Sequence, residues 1–108
     1  MARVTLDTSR VADWASFHDE CQRAFGFPGF YGRNMDAWID CLTSLRENPG
    51  MTRFMLTPGE KLEIEVPDAH GLSERAPELM NALVECSAFV NRRYLEFGEE
   101  PALALVLL

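Results

Sequence analysis

The sequence predicts a small α/β fold of a three-layer type, with a parallel sheet of about three strands and three to four helices. Alternating apolar and polar residues indicate strands at 3–7 and 61–66, and a nearly continuous apolar run indicates a third at 102–108. Helical apolar periodicity fills the segments between them, and strands that alternate with helices are typical of parallel sheets. An apolar strand such as 102–108 is usually covered on both faces.

Length and composition predict a single domain over residues 1–108. A chain of 108 residues fits one compact domain, and a hydrophobic content of 47% is ordinary for a globular protein. The sequence contains no run of 18 apolar residues, and Met1 is not followed by the apolar core of a signal peptide. We therefore expect a soluble, cytoplasmic protein without a membrane partner.

The charge balance favours a basic partner over nucleic acid. The net charge is −7, from 17 acidic and 10 basic residues. Binding to a phosphate backbone needs lysines and arginines that neutralise the phosphates, so we expect no nucleic-acid partner. An acidic protein is instead steered towards a basic one.

The cysteines and histidines predict neither a disulfide framework nor a metal site, and no cofactor is expected. Cys21, Cys41 and Cys86 are widely spaced and form no CxxC motif, and each falls on or beside an apolar helix face. We expect three buried, reduced thiols. His18 and His70 have no cysteine or acid at ligand spacing.

The first helix is predicted to follow the turn and cap residues Thr8, Ser9 and Asp13 and to end at Gly26. Its expected core face consists of Trp14, Phe17, Cys21 and Phe25.

A turn, a cap and an acidic helix follow. Phe27–Phe30 has the pattern of a type II turn, with positive φ at Gly29, and Asn34 suits a helix N-cap. The helix is expected to run from residue 35 to about 47–50 with one apolar stripe, made of Met35, Trp38, Ile39, Leu42 and Leu45.

A second stripe on this helix carries Asp36, Asp40 and Thr43. Two like charges at i and i+4 cost a few tenths of a kcal/mol, roughly, and a purely structural helix more often has Lys or Arg at one of the two positions. On spacing alone, a solvated acidic face and a functional one are equally good interpretations.

The second half of the chain is predicted to be a hairpin, or a loop and one strand, over 53–66, followed by helices. Ser73 suits the cap of a short helix, Pro77 suits the first turn of a longer one, and Gly98 ends it. The expected core stripe of the long helix consists of Leu79, Ala82, Leu83, Cys86, Phe89 and Val90, and Arg92 and Arg93 follow where the helix dipole favours cations.

The segment 30–43 reads FYGRNMDAWIDCLT. It resembles the segment Tyr-Tyr-Gly-x-Asn-Leu-Asp-Ala-x-x-Asp-Cys-Leu-Thr of the barstar family, whose members are intracellular inhibitors of the secreted bacterial ribonuclease barnase. The order of predicted elements agrees with that family along the whole chain, and the extra residues of this chain are expected around 51–61.

The resemblance implies an inhibitor that plugs an active site and is not an enzyme. In the family, the loop and the acidic helix enter the ribonuclease, and carboxylates take the place of the RNA phosphate. By matching position, Asp40 is the phosphate mimic that pairs with arginines and a histidine of the target, and Asp36 pairs with a basic group at the rim. Phe30 offers an aromatic face to the catalytic histidine.

Further contacts are implied in the same way. Gly32 allows close backbone approach, and Asn34 adds a polar contact to its role as a cap. Glu85 is the nearest match to a further acidic residue on the later helix. The implied partner-binding set is Phe30, Tyr31, Gly32, Asn34, Met35, Asp36, Asp40, Thr43 and Glu85, in a protein expected to be monomeric.

Three departures from the family bear on the choice of target. Phe30 lacks the family's tyrosine hydroxyl, and Ile39 replaces a tryptophan. Arg33 replaces an acid and would repel a basic enzyme unless an acidic group of the partner meets it. Of the other aromatic and apolar residues here, Trp38, Ile39 and Leu42 are expected in the core, and Tyr31 could equally pack against its own loop.

Two other functions compete with this interpretation. Asp36 and Asp40 could be a general acid and base, as in glycosidases, but they share one short helix face without an evident substrate cleft. Alternatively, the protein could be a housekeeping interaction domain for another partner, or an immunity protein for a toxin that is not a ribonuclease, with the same fold and the same acidic face.

Overall fold

The computed structural model describes residues 2–47 and 49–108. Within them, three strands and four α-helices follow the order β-α-α-β-α-α-β. The strands are β1 (Ala2–Thr5), β2 (Leu62–Val66) and β3 (Leu103–Leu107), and the helices are α1 (Trp14–Phe25), α2 (Met35–Leu42), α3 (Ala69–Arg75) and α4 (Pro77–Glu96). The predicted α/β class, with a parallel sheet of three strands, is confirmed.

The sheet has the order β1-β2-β3, and both strand pairs are parallel. Its covered face carries fully buried side chains, such as those of Leu62, Ile64 and Val66 on the central strand. Its other face alternates with them and is polar: Arg3 contacts Glu63 with an Nη2–Oε1 distance of 3.3 Å.

The predicted cover on both faces of the sheet is therefore wrong, and the layers are one sheet and one set of helices. Carboxylates such as Glu63 and Glu65 stay in contact with water, which a third layer would exclude. The apolar strand β3 lies at an edge of the sheet, and its residues on the uncovered face, Ala104 and Val106, are half-buried.

α1 begins and ends at the predicted residues. Asp13 forms a capping box with Ser16, and Gly26 ends the helix with φ 69°. A Cβ on Gly26 would lie 2.9 Å from the Cβ of Arg53, so glycine is required there for space as well as for conformation. Trp14 departs from the prediction: it occupies the first position of the helix and is 42% exposed. Its ring stacks on that of His18, which is buried.

α2 ends earlier than predicted, at Leu42, and Asn48, near the expected end, lies outside the described residues. The cause is the hydroxyl of Tyr94 on α4. It donates to the Leu42 carbonyl and accepts from the Leu45 N–H, both at 3.0 Å. A continuing helix would need the same two groups for its own i, i+4 bonds. Leu45 is buried as expected, but outside the helix.

The 53–66 segment is a loop followed by one strand, which confirms the second of the two predicted alternatives. The loop is tied to α1 because the Arg53 N–H donates to the Phe25 carbonyl at 2.9 Å. It is tied to the segment after α2 because the Leu56 N–H donates to the Leu45 carbonyl at 2.8 Å.

The cap of α3 differs from the prediction. Asp68, with φ 49°, accepts a hydrogen bond from the Gly71 N–H at 3.3 Å, whereas Ser73 lies inside the helix. Pro77 opens α4 as predicted, because a first-turn residue needs no N–H. None of the helices in the described part of the chain is long and apolar enough to cross a membrane.

The buried face of α4 is rotated relative to the predicted stripe. Leu79, Leu83 and Val90 are buried as expected, but Phe89 is 45% exposed. The face continues through Tyr94 instead, so Phe89 lies beside the contact with α2.

We expect Tyr94→Phe to lower the free energy of unfolding by about 1–3 kcal/mol, because it leaves a buried carbonyl and a buried N–H without their shared partner. Urea denaturation followed by circular dichroism measures the change. Ser44→Ala is the matched control, since its hydroxyl bonds the Asp40 carbonyl at the same helix end in an exposed position and should change stability by less than about 0.5 kcal/mol. Equal effects of the two substitutions would contradict the role of Tyr94.

Candidate functional site

The turn before α2 is shifted by one residue from its predicted position. The Tyr31 N–H donates to the Pro28 carbonyl at 2.9 Å, so the turn spans Pro28–Tyr31, and Gly29 does not have positive φ. The reason is that the Phe27 N–H still donates to the Gln22 carbonyl of α1, at 3.2 Å. Phe27 therefore takes part in the capping of α1 and not in the turn.

The loop points two aromatic side chains inward and one outward. Phe27 and Tyr31 are buried, with ring centroids 4.6 Å apart, and Phe27 also stacks on Phe25 at 5.1 Å. Phe30, between them at the tip of the turn, is 77% exposed. Of the two loop aromatics in the predicted binding set, only Phe30 presents its side chain to a partner, whereas that of Tyr31 packs within the protein.

The buried end of Tyr31 is held by a histidine. Its hydroxyl lies 2.6 Å from Nδ1 of His18, which is also buried. Burial, and then the positive charge of Arg33, lower the pKa of His18 below its ordinary value of 6.5, and burial raises the pKa of Tyr31. The two side chains thus form a neutral pair that fastens the loop to α1.

Arg33 also fastens the loop to α1. It has φ 56°, and its guanidinium donates to Asp19 at 2.7 Å and to the Ala15 carbonyl at 3.1 Å. The positive charge expected to repel a basic enzyme is therefore paired with an acid of this chain. Arg33 and Met35, with Trp14, Ala15, His18 and Asn34, also line a shallow groove of about 510 Å³ beside the loop.

Asn34 caps α2 as predicted. Its Oδ1 accepts from the Ala37 N–H at 2.8 Å, and its Nδ2 donates to the Gly32 carbonyl at 3.3 Å. A Cβ on Gly32 would lie 3.3 Å from Nδ2 of Asn34, so a side chain there would press on the cap. The cap fixes the first turn of α2, which carries Asp36.

The acidic face of α2 meets α4 in a small open cavity. Asp36 and Asp40 are both exposed, and Asp40 Oδ1 lies 3.0 Å from Nη1 of Arg93. The Arg93 guanidinium lies over the ring of Phe89, 5.1 Å from its centroid. These four residues and Ile39 line a cavity of about 350 Å³.

Glu85 lies on α4, and Thr43 is the C-cap residue of α2. Burial, and then the negative charges of Glu85 and Asp36, raise the pKa of Cys86. Thr43 is half-buried, and its hydroxyl donates to the Ile39 carbonyl at 2.6 Å. α2 thus presents Asp36 and Asp40 on one exposed face, Glu85 is exposed on α4, and Phe30 lies at the tip of the loop before α2.

Sequence reasoning missed two residues of the cavity. The sequence predicts Phe89 in the core and Arg93 only as a cation that the helix dipole favours. Their i, i+4 spacing puts them on one face of α4, but that face could be placed opposite α2 only once the packing was known.

The described residues contain no group of three histidine, cysteine or acidic side chains placed to hold a metal ion. Cys21, Cys41 and Cys86 are free thiols, of which the first two are buried and the third is half-buried. Burial raises the pKa of Cys21 to about 12, which keeps it protonated and unreactive.

Comparison of the sequence with known protein families identifies the family of this chain. The sequence profile described as "Barstar (barnase inhibitor)" matches residues 1–106. The chain belongs to the barstar family. Members of this family are inhibitors rather than enzymes.

A curated relative from Bacillus subtilis strain 168 carries a compatible name. This protein, "Putative ribonuclease inhibitor YrdF", is 35% identical over 49 residues, which are 45% of this chain and 54% of the relative. The match thus covers about half of each protein.

We expect the barstar-family chain to lose stability as the pH falls below about 6.5. His18 has a lower pKa in the folded protein than in the unfolded chain, so below about pH 6.5 the folded state binds fewer protons than the unfolded state. The stability that is present above this pH is therefore lost as the pH falls through the pKa of His18 in the folded state. Urea midpoints measured from pH 7.5 to 5 should fall for the native protein and less for His18→Gln.

His70→Gln is the control for this measurement, because His70 is exposed on α3 and should leave the fall in place. Carboxylates with a lowered pKa, such as Asp13, lose their contribution only in the more acidic range around pH 4 and below. An unchanged fall in His18→Gln would show that another group is responsible.

Proposed function

We propose that this protein is a cytoplasmic, monomeric inhibitor of a barnase-class ribonuclease and acts in bacteria as its antitoxin or immunity protein, without a cofactor. The observation that carries the proposal is a pair of exposed carboxylates, Asp36 and Asp40, directly behind a loop that is locked to α1 and presents Phe30. The family supports an inhibitor, and the relative's name supports a ribonuclease as the target.

The proposed mechanism is occupation of the site that binds the RNA phosphate. An enzyme that binds a phosphodiester presents arginines, lysines or protonated histidines, and a carboxylate accepts from the same donors. Asp40 would take the phosphate position, and Asp36 and Glu85 would meet basic groups around it. Phe30 would stack on a ring of the target, and Gly32, Asn34, Met35 and Thr43 would contact the target around these anchors. The proposed role of Tyr31 is to hold the loop from within.

Rigidity of the loop favours tight binding. Ordering a mobile loop on association costs free energy, and this loop is already tied to α1 through Tyr31, Arg33 and the turn at Pro28. An exposed aromatic side chain on such a support has the character of an interface hot spot.

A second candidate keeps the site and changes the target to a toxin that is not a ribonuclease. The observation that favours it is the pair of arginines at the site, Arg33 and Arg93, which a simple mimic of RNA does not need. An acid–base enzyme has less support, because Asp36 and Asp40 are exposed, whereas a catalytic carboxylic acid is tuned by burial.

We expect Asp40→Ala to weaken the complex with barnase by about 2–5 kcal/mol, the general range for truncation of one partner of a buried, hydrogen-bonded charge pair, for which barnase with its own inhibitor is a reference system. Asp36→Ala should cost less, because that position meets the rim. Titration calorimetry, with RNA cleavage followed in parallel, measures both.

Glu63→Ala is the matched control. It removes the same charge and also breaks a pair with an exposed arginine, but on the polar face of the sheet, so binding should be unchanged. A large drop in melting temperature with unchanged affinity in Asp40→Ala would make the acidic face structural.

We also expect the association rate with barnase to fall steeply as ionic strength rises, while the dissociation rate changes little. Long-range attraction between the acidic inhibitor, with net charge −7, and a basic enzyme accelerates their encounter and is screened by salt. Stopped-flow measurements between 0.02 and 0.5 M salt, over which the Debye length falls about fivefold, test this. A salt-independent association rate would rule out steering.

A further inference from the structure

Asp40 already has a cation of its own chain. Nη1 of Arg93 lies 3.0 Å from Oδ1 of Asp40, a contact through a single nitrogen and a single oxygen. The two side chains are 67% and 37% exposed for Asp40 and Arg93, so solvent and a partner reach both. The proposed phosphate mimic is therefore partly neutralised before any target arrives.

We propose that Arg93 is a specificity-determining residue that competes with the target for Asp40. The proposal rests on the proposed function and deepens it by naming the chemistry of the target site. To bind Asp40, a partner must displace or outweigh Arg93, and the sites that do so present a bidentate arginine or two converging positive groups.

The geometry explains why a single lysine is a poor competitor. A lysine brings one compact, strongly hydrated charge and gains little by exchanging with a guanidinium that is already in contact. A bidentate arginine forms two parallel bonds to a carboxylate, whereas Arg93 forms one. Specific interfaces commonly contain such an unfavourable element against the wrong partners, and Arg93 has that character.

Phe89 makes the exchange reversible. The Arg93 guanidinium lies over its ring, 5.1 Å from the centroid, and the ring's attraction for a cation remains when Asp40 is taken by a target. Because the Asp40–Arg93 pair is exposed, it is also weak enough to be exchanged.

The first test is titration calorimetry with barnase as the probe, on the native chain, Arg93→Gln and the control Arg92→Gln. The control removes the same charge from the neighbouring exposed position of α4. We expect Arg93→Gln to lower the Kd about two- to fivefold beyond the control, in line with loss of a weak competing pair. In the Asp40→Asn background, this gain should vanish.

Two outcomes would overturn the inference. An unchanged or higher Kd for Arg93→Gln would mean that Arg93 is neutral or contacts the target itself. An equal gain with and without Asp40 would mean that only overall charge matters.

The second test does not depend on the ribonuclease. Lysine and arginine peptides of equal length are titrated into the native chain and Arg93→Gln, and the NMR shift of the Asp40 carboxyl carbon is followed. We expect the native chain to respond more to the arginine peptide, and Arg93→Gln to lose most of that preference. An unchanged preference in Arg93→Gln would refute the role of Arg93 as a specificity-determining residue. If no variant bound barnase, the proposed function would be refuted, and the peptide titration would still test the role of Arg93.

Discussion

The hydroxyl of Tyr94 is the contact on which the geometry of the site depends. By satisfying the last carbonyl of α2 and the N–H of Leu45, it ends that helix and holds it against α4. α2 has only eight residues, and both of its ends are fixed: the C-terminal end by the Tyr94 hydroxyl and the N-terminal end by the Asn34 cap. A helix held at both ends keeps Asp36 and Asp40 at a constant distance from the side chains of α4, which an isolated helix of this length could not do.

The loop before α2 shows how an exposed aromatic side chain is supported. Burial of Phe27 and Tyr31 against α1, together with the Arg33–Asp19 pair, stabilises the loop conformation. Phe30 contributes little to that packing and is therefore available to a partner. Arg33 has a structural use in this chain, because it adds a second tie between loop and helix, and its positive charge acts together with burial to keep His18 neutral.

Features that depend on local chemistry could be predicted from the sequence, and features that depend on distant contacts could not. The cap at Asn34, the helix end at Gly26 and the start of α4 at Pro77 each follow from the residue itself and its neighbours. The predicted end of α2 is wrong because the actual end is determined by a tyrosine about fifty residues away in the sequence. Phe89 fits the helical period of a core stripe, but the neighbouring face of α4 is the one that packs inward.

The two carboxylates of α2 are not equivalent, because the contribution of Asp40 depends more strongly on the geometry of the target's cation than that of Asp36. Asp36 lies in the first turn, where the helix dipole already stabilises its charge, so a target cation there adds an interaction to an existing one. Asp40 lies beyond the reach of that dipole, and its charge is balanced by Arg93. A target cation at Asp40 must exchange with another cation, and the net gain depends on how much better the new geometry is. For a target that supplies the better geometry, Asp40 therefore carries both the larger share of the affinity and the discrimination, whereas Asp36 adds a smaller contribution with any basic rim.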